Sequence, residues 1–132
     1  MGIVGCLLDT STFLWAVRGS SNLSNKALEV LYDANTVKYI SSVSAFEIMN
    51  KFRIGKLAGF EDVASDYFGF VKTLRAEKLP ITEEHAHYAG KFEWEHRDPF
   101  DRLLAAQAYI EKLTIITSDS AFHTLSWVSV LW

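Results

Sequence analysis

The sequence predicts an α/β domain with a mainly parallel central sheet. Short apolar runs rich in β-branched residues alternate along the chain with segments whose apolar residues recur at helical spacing. This alternation is typical of strand–helix–strand units, which build parallel sheets with helices on their faces. A length of 132 residues fits one domain covering residues 1–132.

The first half of the chain begins with two predicted strands and a helix between them. IVGCLL (3–8) has the apolar character of a buried strand, and the polar residues 9–11 after it can cap the next turn. Ser24 is a favoured N-cap and begins a predicted helix that continues to Asp33. VKYIS (37–41) is the second predicted strand.

After the second strand, Ser42 or Ser44 is predicted to cap a further helix. On this helix Glu47 is predicted to point outward, with Lys51, four residues later, as a surface ion-pair partner, unless that polar face lines a cleft. The reason is the i, i+3, i+4, i+7 spacing of the apolar residues, which predicts one buried stripe formed by Ala45, Ile48, Met49 and Phe52.

The second half of the chain continues the alternation. Two helices are predicted over residues 61–76 and 83–93. Between them lies KLPI, in which Pro80 limits any strand to an edge or an end of the sheet. TIIT (114–117) and WVSVLW (127–132) are the last two predicted strands.

The composition excludes several classes of function. A net charge of −3 gives no overall field that attracts nucleic acid or an anionic membrane, so nucleic-acid binding needs a local basic strip. The single Cys6 excludes an internal disulfide and a multi-cysteine zinc site, and its apolar surroundings predict a core residue. Because no apolar run approaches the roughly 18 residues of a membrane span, we expect a soluble, cytoplasmic protein.

Acidic residues follow the predicted strands at several points. One comes directly after the first strand, one lies in the helix after the second, and one follows TIIT. Two more lie three residues apart at the start of the helix in HRDPFDRLLAAQA (96–108). Because the carboxyl ends of parallel strands open on one edge of a sheet, these segments can deliver their carboxylates to the same rim. The five acids are Asp9, Glu47, Asp98, Asp101 and Asp119.

Capping and cation binding are alternative interpretations of Asp98 and Asp101. Asp is a favoured N-cap and Pro99 suits the first helical position, so the local sequence is a sound helix start. Capping does not account for the acids at the other strand ends. Carboxylates about 4 Å apart repel by roughly 4 kcal/mol at an effective dielectric near 20, so a real cluster needs a cation or a proton. Mg²⁺ or Mn²⁺ is the cation that such oxygens favour.

Other chemistries fit the sequence less well. It contains neither a G-x-S-x-G nucleophile motif nor a P-loop. The histidines form no evident set of zinc ligands, because His85 and His87 point apart on a helix and His96 and His123 have no obvious partners. Basic residues near the acids are either solvated surface or contacts for a phosphodiester backbone: Lys51, Arg53, Lys56, Arg97 and Arg102.

The chain resembles a PIN domain, in particular the ribonuclease toxin of bacterial VapBC-type toxin–antitoxin pairs. Four segments carry the resemblance, each with one of the family's acids in order: LLDTSTFLW, SSVSAFEIMNKFRIGKL, HRDPFDRLLAAQA and TIITSDSAF. The resemblance implies a three-layer α/β/α fold around the parallel sheet. It also implies hydrolysis of RNA phosphodiester bonds, a cognate antitoxin as partner and a homodimer as the assembly.

The same resemblance implies a set of site residues. The D-x-x-x-A-A pattern in the third segment selects Asp101 rather than Asp98, which remains a further candidate. The residues implied to bind Mg²⁺ or Mn²⁺ and to carry catalysis are Asp9, Glu47, Asp101 and Asp119. The basic residues Lys51, Arg53, Lys56, Arg97 and Arg102 are the candidates for RNA binding.

One departure from the family pattern keeps a second function open. Many relatives have a further acid two residues after the fourth, where this chain has Ala121. The alternative is therefore a catalytically silent PIN-fold module that binds an antitoxin or RNA without cutting. A generic metal-dependent phosphatase is the third interpretation.

Overall fold

A five-stranded parallel sheet forms the centre of the protein, as described for residues 2–132 by a computed structural model. The order across the sheet places the first strand in the middle, and every neighbouring pair runs parallel. The predicted α/β class with a parallel sheet is therefore confirmed. The strands, in chain order, are β1 (Gly5–Leu8), β2 (Val37–Ser41), β3 (Glu77–Leu79), β4 (Thr114–Ile116) and β5 (Val130–Leu131). The spatial order is β3-β2-β1-β4-β5.

Seven α-helices lie around the sheet within the described residues. They are α1 (Thr10–Arg18), α2 (Asn25–Tyr32), α3 (Ser42–Arg53), α4 (Glu61–Ser65), α5 (Tyr67–Thr73), α6 (Glu83–Lys91) and α7 (Pro99–Glu111). Side chains alternate across β1, so Cys6 and Leu8 pack with α1, α2, α4 and α5, whereas Leu7 packs with α7. These two apolar cores make the three layers that the sequence implied, and Cys6 is buried as predicted.

Helix α3 differs from its prediction in both its start and its buried face. The residue that caps it is Ser41, whose hydroxyl accepts the backbone N–H of Val43, rather than Ser42 or Ser44. The predicted apolar stripe is only partly buried, because Met49 and Phe52 are 43% and 42% exposed. The residues that α3 buries are Val43, Ser44 and Ile48. The reason is tertiary: α3 contributes Ile48 to one core and Val43 to the other.

Several other predicted elements are shorter than the sequence suggested or are broken. The strand at 3–8 covers only Gly5–Leu8, and the strand at 127–132 covers only Val130–Leu131. The helix at 61–76 is broken into α4 and α5, because the Asp66 side chain accepts the backbone N–H of Gly69 and starts a new helix. The restriction imposed by Pro80 is confirmed, since β3 lies at the edge of the sheet and ends before it.

Membrane insertion receives no support from the helices. Among residues 2–132, no helix has the length and apolar character that crossing a bilayer requires.

Candidate metal centre

An acidic cleft lies at the carboxyl edge of the sheet. Because all five strands run in one direction, the segments that follow β1, β2 and β4 meet at this edge. The cleft has a volume of about 190 Å³, enough for a cation with several water molecules. The structure brings all five predicted acids to it. The lining residues are Asp9, Thr10, Ser11, Glu47, Asp98, Asp101, Leu104, Ser118 and Asp119.

Asp9 lies at the end of the central strand and caps α1. Its Oδ1 accepts the backbone N–H of Thr12 at 2.8 Å, and its Oδ2 accepts a hydrogen bond from the Thr117 hydroxyl. Burial raises the pKa of Asp9, the hydrogen bonds from Thr117 and Thr12 oppose that rise, and the charge of Asp119 adds to it. The carboxylate is thus fixed in a place where its charge is unfavourable.

Thr117 joins Asp9 to Asp119, although no sequence motif points to it. Its hydroxyl donates to Asp9 and accepts the backbone N–H of Asp119 at 3.0 Å. The Asp119 Oδ1 in turn accepts the backbone N–H of Ala121 at 2.9 Å, which turns the chain after β4. The only local signal for this role in the sequence is a threonine at the end of a predicted strand, two residues before an acid.

Glu47 lies on the edge of the cleft, so the polar face of α3 borders the cleft rather than bulk solvent. Its side chain is 21% exposed, and its Oε1 accepts a hydrogen bond of 2.6 Å from the Thr10 hydroxyl. Because that hydroxyl has one proton to give, Ser44, whose Oγ lies 2.9 Å away, donates to Thr10. The predicted ion pair is present, with Lys51 Nζ 3.3 Å from Glu47 Oε2. The buried face of α3 runs through Ser44 and so places Glu47 next to the cleft.

Asp98 and Asp101 play different structural roles. Asp98 is exposed and caps α7, since its Oδ1 accepts the backbone N–H of Phe100 at 2.9 Å and Pro99 occupies the first helical position. Asp101 is 20% exposed, and its Oδ2 lies 2.6 Å from Nε2 of His96. Capping therefore accounts for Asp98 but not for Asp101.

The pKa of Asp101 is raised to about 6. Burial is the main cause, the hydrogen bond with His96 opposes it, and the negative charge of Asp98 adds to the rise. The charge of Asp119 contributes in the same direction. Both Asp9 and Asp101 therefore experience the charge of Asp119, which indicates that the acids act on one another across the cleft.

The sequence showed no obvious partner for His96, and the structure shows that Asp101 is one. The loop between α6 and α7 turns the imidazole onto Asp101, the residue five positions later. Ligand atoms of His96, Asp98 and Asp101 lie within 4.8 Å of one another. The sequence could not show this contact, because it depends on the path of an irregular loop.

Arg102 was a candidate for RNA binding, but its guanidinium group is occupied within the protein. Its Nε donates to the carbonyl of Ala89 at 2.9 Å, and its two terminal nitrogens donate to the carbonyls of Phe92, Trp94 and His96. These contacts occupy the N–H groups with which an arginine side chain binds a phosphate through two hydrogen bonds.

The remaining basic candidates lie nearer the surface. Arg53, Lys56 and Arg97 are exposed, and Lys51 is half-buried and engaged by Glu47.

The donor set of the cleft fits a hard divalent cation. Carboxylate and hydroxyl oxygens predominate, which are the ligands that Mg²⁺ and Mn²⁺ prefer. Among residues 2–132, the side chains that line the cleft include no lysine or arginine to neutralise the acids from within. Burial is the main cause of the raised pKa values of Asp9 and Asp101, the charge of Asp119 adds to both, and a bound cation would lower them.

Replacing Asp101 by Asn should remove a pH-dependent loss of stability in metal-free buffer. A carboxyl group with a folded-state pKa of about 6, above its ordinary value of 3.8, stabilises the protein below pH 4 and loses that contribution as pH rises through 6. Between pH 4 and 7, the free energy of unfolding of Asp101→Asn should therefore rise relative to wild type by up to about 3 kcal/mol.

Denaturant titrations in EDTA at several pH values measure this difference. Asp66→Asn, which keeps a capping oxygen at the start of α5 and does not line the cleft, is the matched control and should follow the wild-type pH dependence. Identical pH dependence in wild type and Asp101→Asn would contradict the assignment of a strained carboxylate to Asp101.

Comparison with known proteins identifies the fold and the family. Similar structures include VapBC2 from Rickettsia felis bound to a DNA fragment from their promoter, with a TM-score of 0.72 at 22% identity over 97% of this chain and 98% of the other. DNA-bound VapBC from Salmonella typhimurium has a TM-score of 0.71 at 18% identity over 98% of both chains. FitAcB from Neisseria gonorrhoeae has a TM-score of 0.64 at 18% identity over 96% of both chains.

At the level of sequence, no curated protein gives a significant match. The profile of the PIN domain, in contrast, matches residues 6–128, which include the four segments that resembled this family. The chain therefore belongs to the PIN domain family.

Proposed function

We propose that the protein is an endoribonuclease that depends on Mg²⁺ or Mn²⁺ and acts as the toxin of a toxin–antitoxin pair. The observation that carries the proposal is the meeting of Asp9, Glu47, Asp101 and Asp119, from four distant segments, on one cleft without a lining cation. Membership of the PIN domain family supports a nuclease, because PIN domains are generally nucleases. RNA as the substrate rests on the family resemblance.

Within this proposal the acids hold the cation and orient the reacting groups. A bound Mg²⁺ or Mn²⁺ lowers the pKa of water and stabilises the charge that develops on a phosphodiester during in-line attack. The protein's contribution is a fixed set of oxygens: Thr117 orients Asp9, and Thr10 orients Glu47. Oxygens that are already fixed need no rearrangement when the substrate binds. Such preorganisation is a major source of electrostatic stabilisation of transition states.

The proposed partner is an antitoxin that meets the toxin in the cytoplasm. Similar folds occur in VapBC and FitAcB complexes, which supports a partner of the same kind. Helix α3, which carries Glu47, also exposes apolar side chains, including Phe46 at 59% and Met49 at 43%. Adjacent exposed apolar side chains are typical of protein–protein interfaces, so this surface suits an antitoxin or a second copy in a homodimer.

A catalytically silent binding module is the second candidate. Two observations favour it: Ala121 stands where many relatives carry a further acid, and Lys51 already pairs with Glu47. A cleft in which Glu47 is partly neutralised has less charge to offer a cation. Cleavage assays separate this candidate from the nuclease.

Purified protein should cut structured RNA in Mg²⁺ or Mn²⁺ and stop cutting in EDTA. Asp9→Asn should reduce the cleavage rate at least about 100-fold, because the variant loses a charge from the cation site. Its fold should survive, since Asn retains an oxygen that can accept the N–H of Thr12. RNA cleavage on denaturing gels, together with the melting temperature, measures both expectations.

Asp66→Asn is the matched control, because Asp66 also caps a helix but does not line the cleft. It should cut at the wild-type rate. RNA binding without cutting by folded wild-type protein would favour the silent module. Undiminished cutting by folded Asp9→Asn would sink the proposed site.

The exposed residues Arg53 and Lys56 should contribute to RNA binding by neutralising phosphates. Replacing both by Ala should lower the affinity for RNA and flatten its dependence on salt concentration. For single-stranded RNA, the slope of log K against log salt should become shallower by about 0.7 for each phosphate that is no longer neutralised. Fluorescence anisotropy across a salt series measures the slope. Lys26→Ala with Lys72→Ala, on α2 and α5, removes the same charge elsewhere and should leave the slope unchanged. Equal slopes in both double variants would show that Arg53 and Lys56 do not contact RNA phosphates.

A further inference from the structure

We infer that His96 is a positioning residue, which holds the Asp101 carboxylate at the cleft in the orientation that a cation requires. The inference rests on the proposed metal site and adds a residue that the acidic motifs do not include. It is carried by the loop between α6 and α7, residues 92–98, whose shape is fixed independently of any ligand.

The guanidinium group of Arg102 fixes the backbone of this loop. Its donors reach the carbonyls of Phe92, Trp94 and His96 within the loop and that of Ala89 in α6. The group also stacks on Phe92, with its central carbon 4.3 Å from the ring centroid. An arginine with this many satisfied donors holds a loop in one conformation, because the planar fork matches several acceptors at once.

The imidazole of His96 is then held by its neighbours. Its ring centroid lies 4.8 Å from that of Trp94, and the Trp94 indole N–H donates to the Thr124 hydroxyl at 3.1 Å. On the other side, Nε2 of His96 lies 2.6 Å from Oδ2 of Asp101. The ring is 32% exposed, so its orientation follows from these contacts and the loop rather than from burial alone.

Asp101 needs such a contact because its carboxylate is only 20% exposed and its negative charge is therefore poorly solvated. Asp98 and Asp119 add like-charge repulsion, so an unrestrained side chain would turn toward water. The hydrogen bond with His96 engages one carboxylate oxygen and leaves the other available to a cation. Contacts of this kind, which orient a ligand rather than join the metal, are a regular feature of metal sites.

Direct ligation of the metal by His96 is the competing assignment, and the geometry favours positioning. At 2.6 Å a proton lies between Nε2 and the carboxylate oxygen, so that nitrogen has no free lone pair to offer while the contact persists. The oxygen-rich cleft also suits Mg²⁺ and Mn²⁺, which take carboxylates readily.

Calorimetric titration of the full chain with MnCl₂ and with MgCl₂ tests the inference. His96→Phe keeps an aromatic ring beside Trp94 but has no donor, and its affinity for either ion should fall about 10- to 100-fold. His96→Gln places an N–H donor near the position of Nε2 and should recover most of that affinity. His87→Phe is the matched control: His87 is exposed on α6, does not line the cleft, and its replacement should leave affinity unchanged.

Pulsed electron paramagnetic resonance of Mn²⁺ bound to wild-type protein separates positioning from ligation. We expect no nitrogen coupling from a coordinated imidazole. Such a coupling, or a failure of His96→Gln to recover the affinity that a folded His96→Phe lacks, would overturn positioning in favour of ligation.

Wild-type affinity in His96→Phe would overturn any role for His96, and so would the absence of metal binding by wild type. If wild type binds metal and His96→Phe does not, yet wild type cuts no RNA, the inference stands and the proposed ribonuclease fails. Metal-free melting temperatures of all variants show that each is folded.

Discussion

The burial of several like-charged carboxylates at the carboxyl edge of the sheet is the constraint on which the site depends. Burial is the main cause that raises the pKa of Asp9 and of Asp101, and the negative charge of Asp119 adds to both shifts. The protein nevertheless fixes its acids with hydrogen bonds instead of letting them turn to water. Asp9 is held by Thr12 and Thr117, Glu47 by Thr10, and Asp101 by His96. A site that retains such strain in the metal-free state gains correspondingly when a cation binds.

The parallel sheet makes this arrangement possible with few local requirements. Each acid needs only to follow a strand or lie in the first two turns of a helix, and the common direction of the strands then brings the segments together. Asp9 and Thr117 meet although 108 residues separate them, because β1 and β4 are neighbours. The hydroxyl groups that orient the acids come from the same strand ends, so the supporting contacts arise from the same topology as the acids.

Sequence patterns predicted those features whose causes are local. The strand before Asp9, the edge position imposed by Pro80 and the capping role of Asp98 each follow from a few adjacent residues, and the structure agrees. Apolar spacing alone did not place Glu47 at the cleft, because the buried face of α3 depends on how the helix packs against the sheet; the family resemblance did place it there. The contacts of His96 and Arg102 were not evident from the sequence, because an irregular loop, folded around a guanidinium group, determines both.

The location of a bound cation tests the central claim most directly. Crystals soaked in MnCl₂ and measured at a wavelength where manganese scatters anomalously would show where the ion binds. We predict an anomalous peak in the cleft, in contact with carboxylate oxygens of Asp9, Asp101 or Asp119. A cleft that holds only water in saturating MnCl₂, with Asp9 still bonded to Thr117 and Asp101 to His96, would contradict the claim that these acids form a cation site.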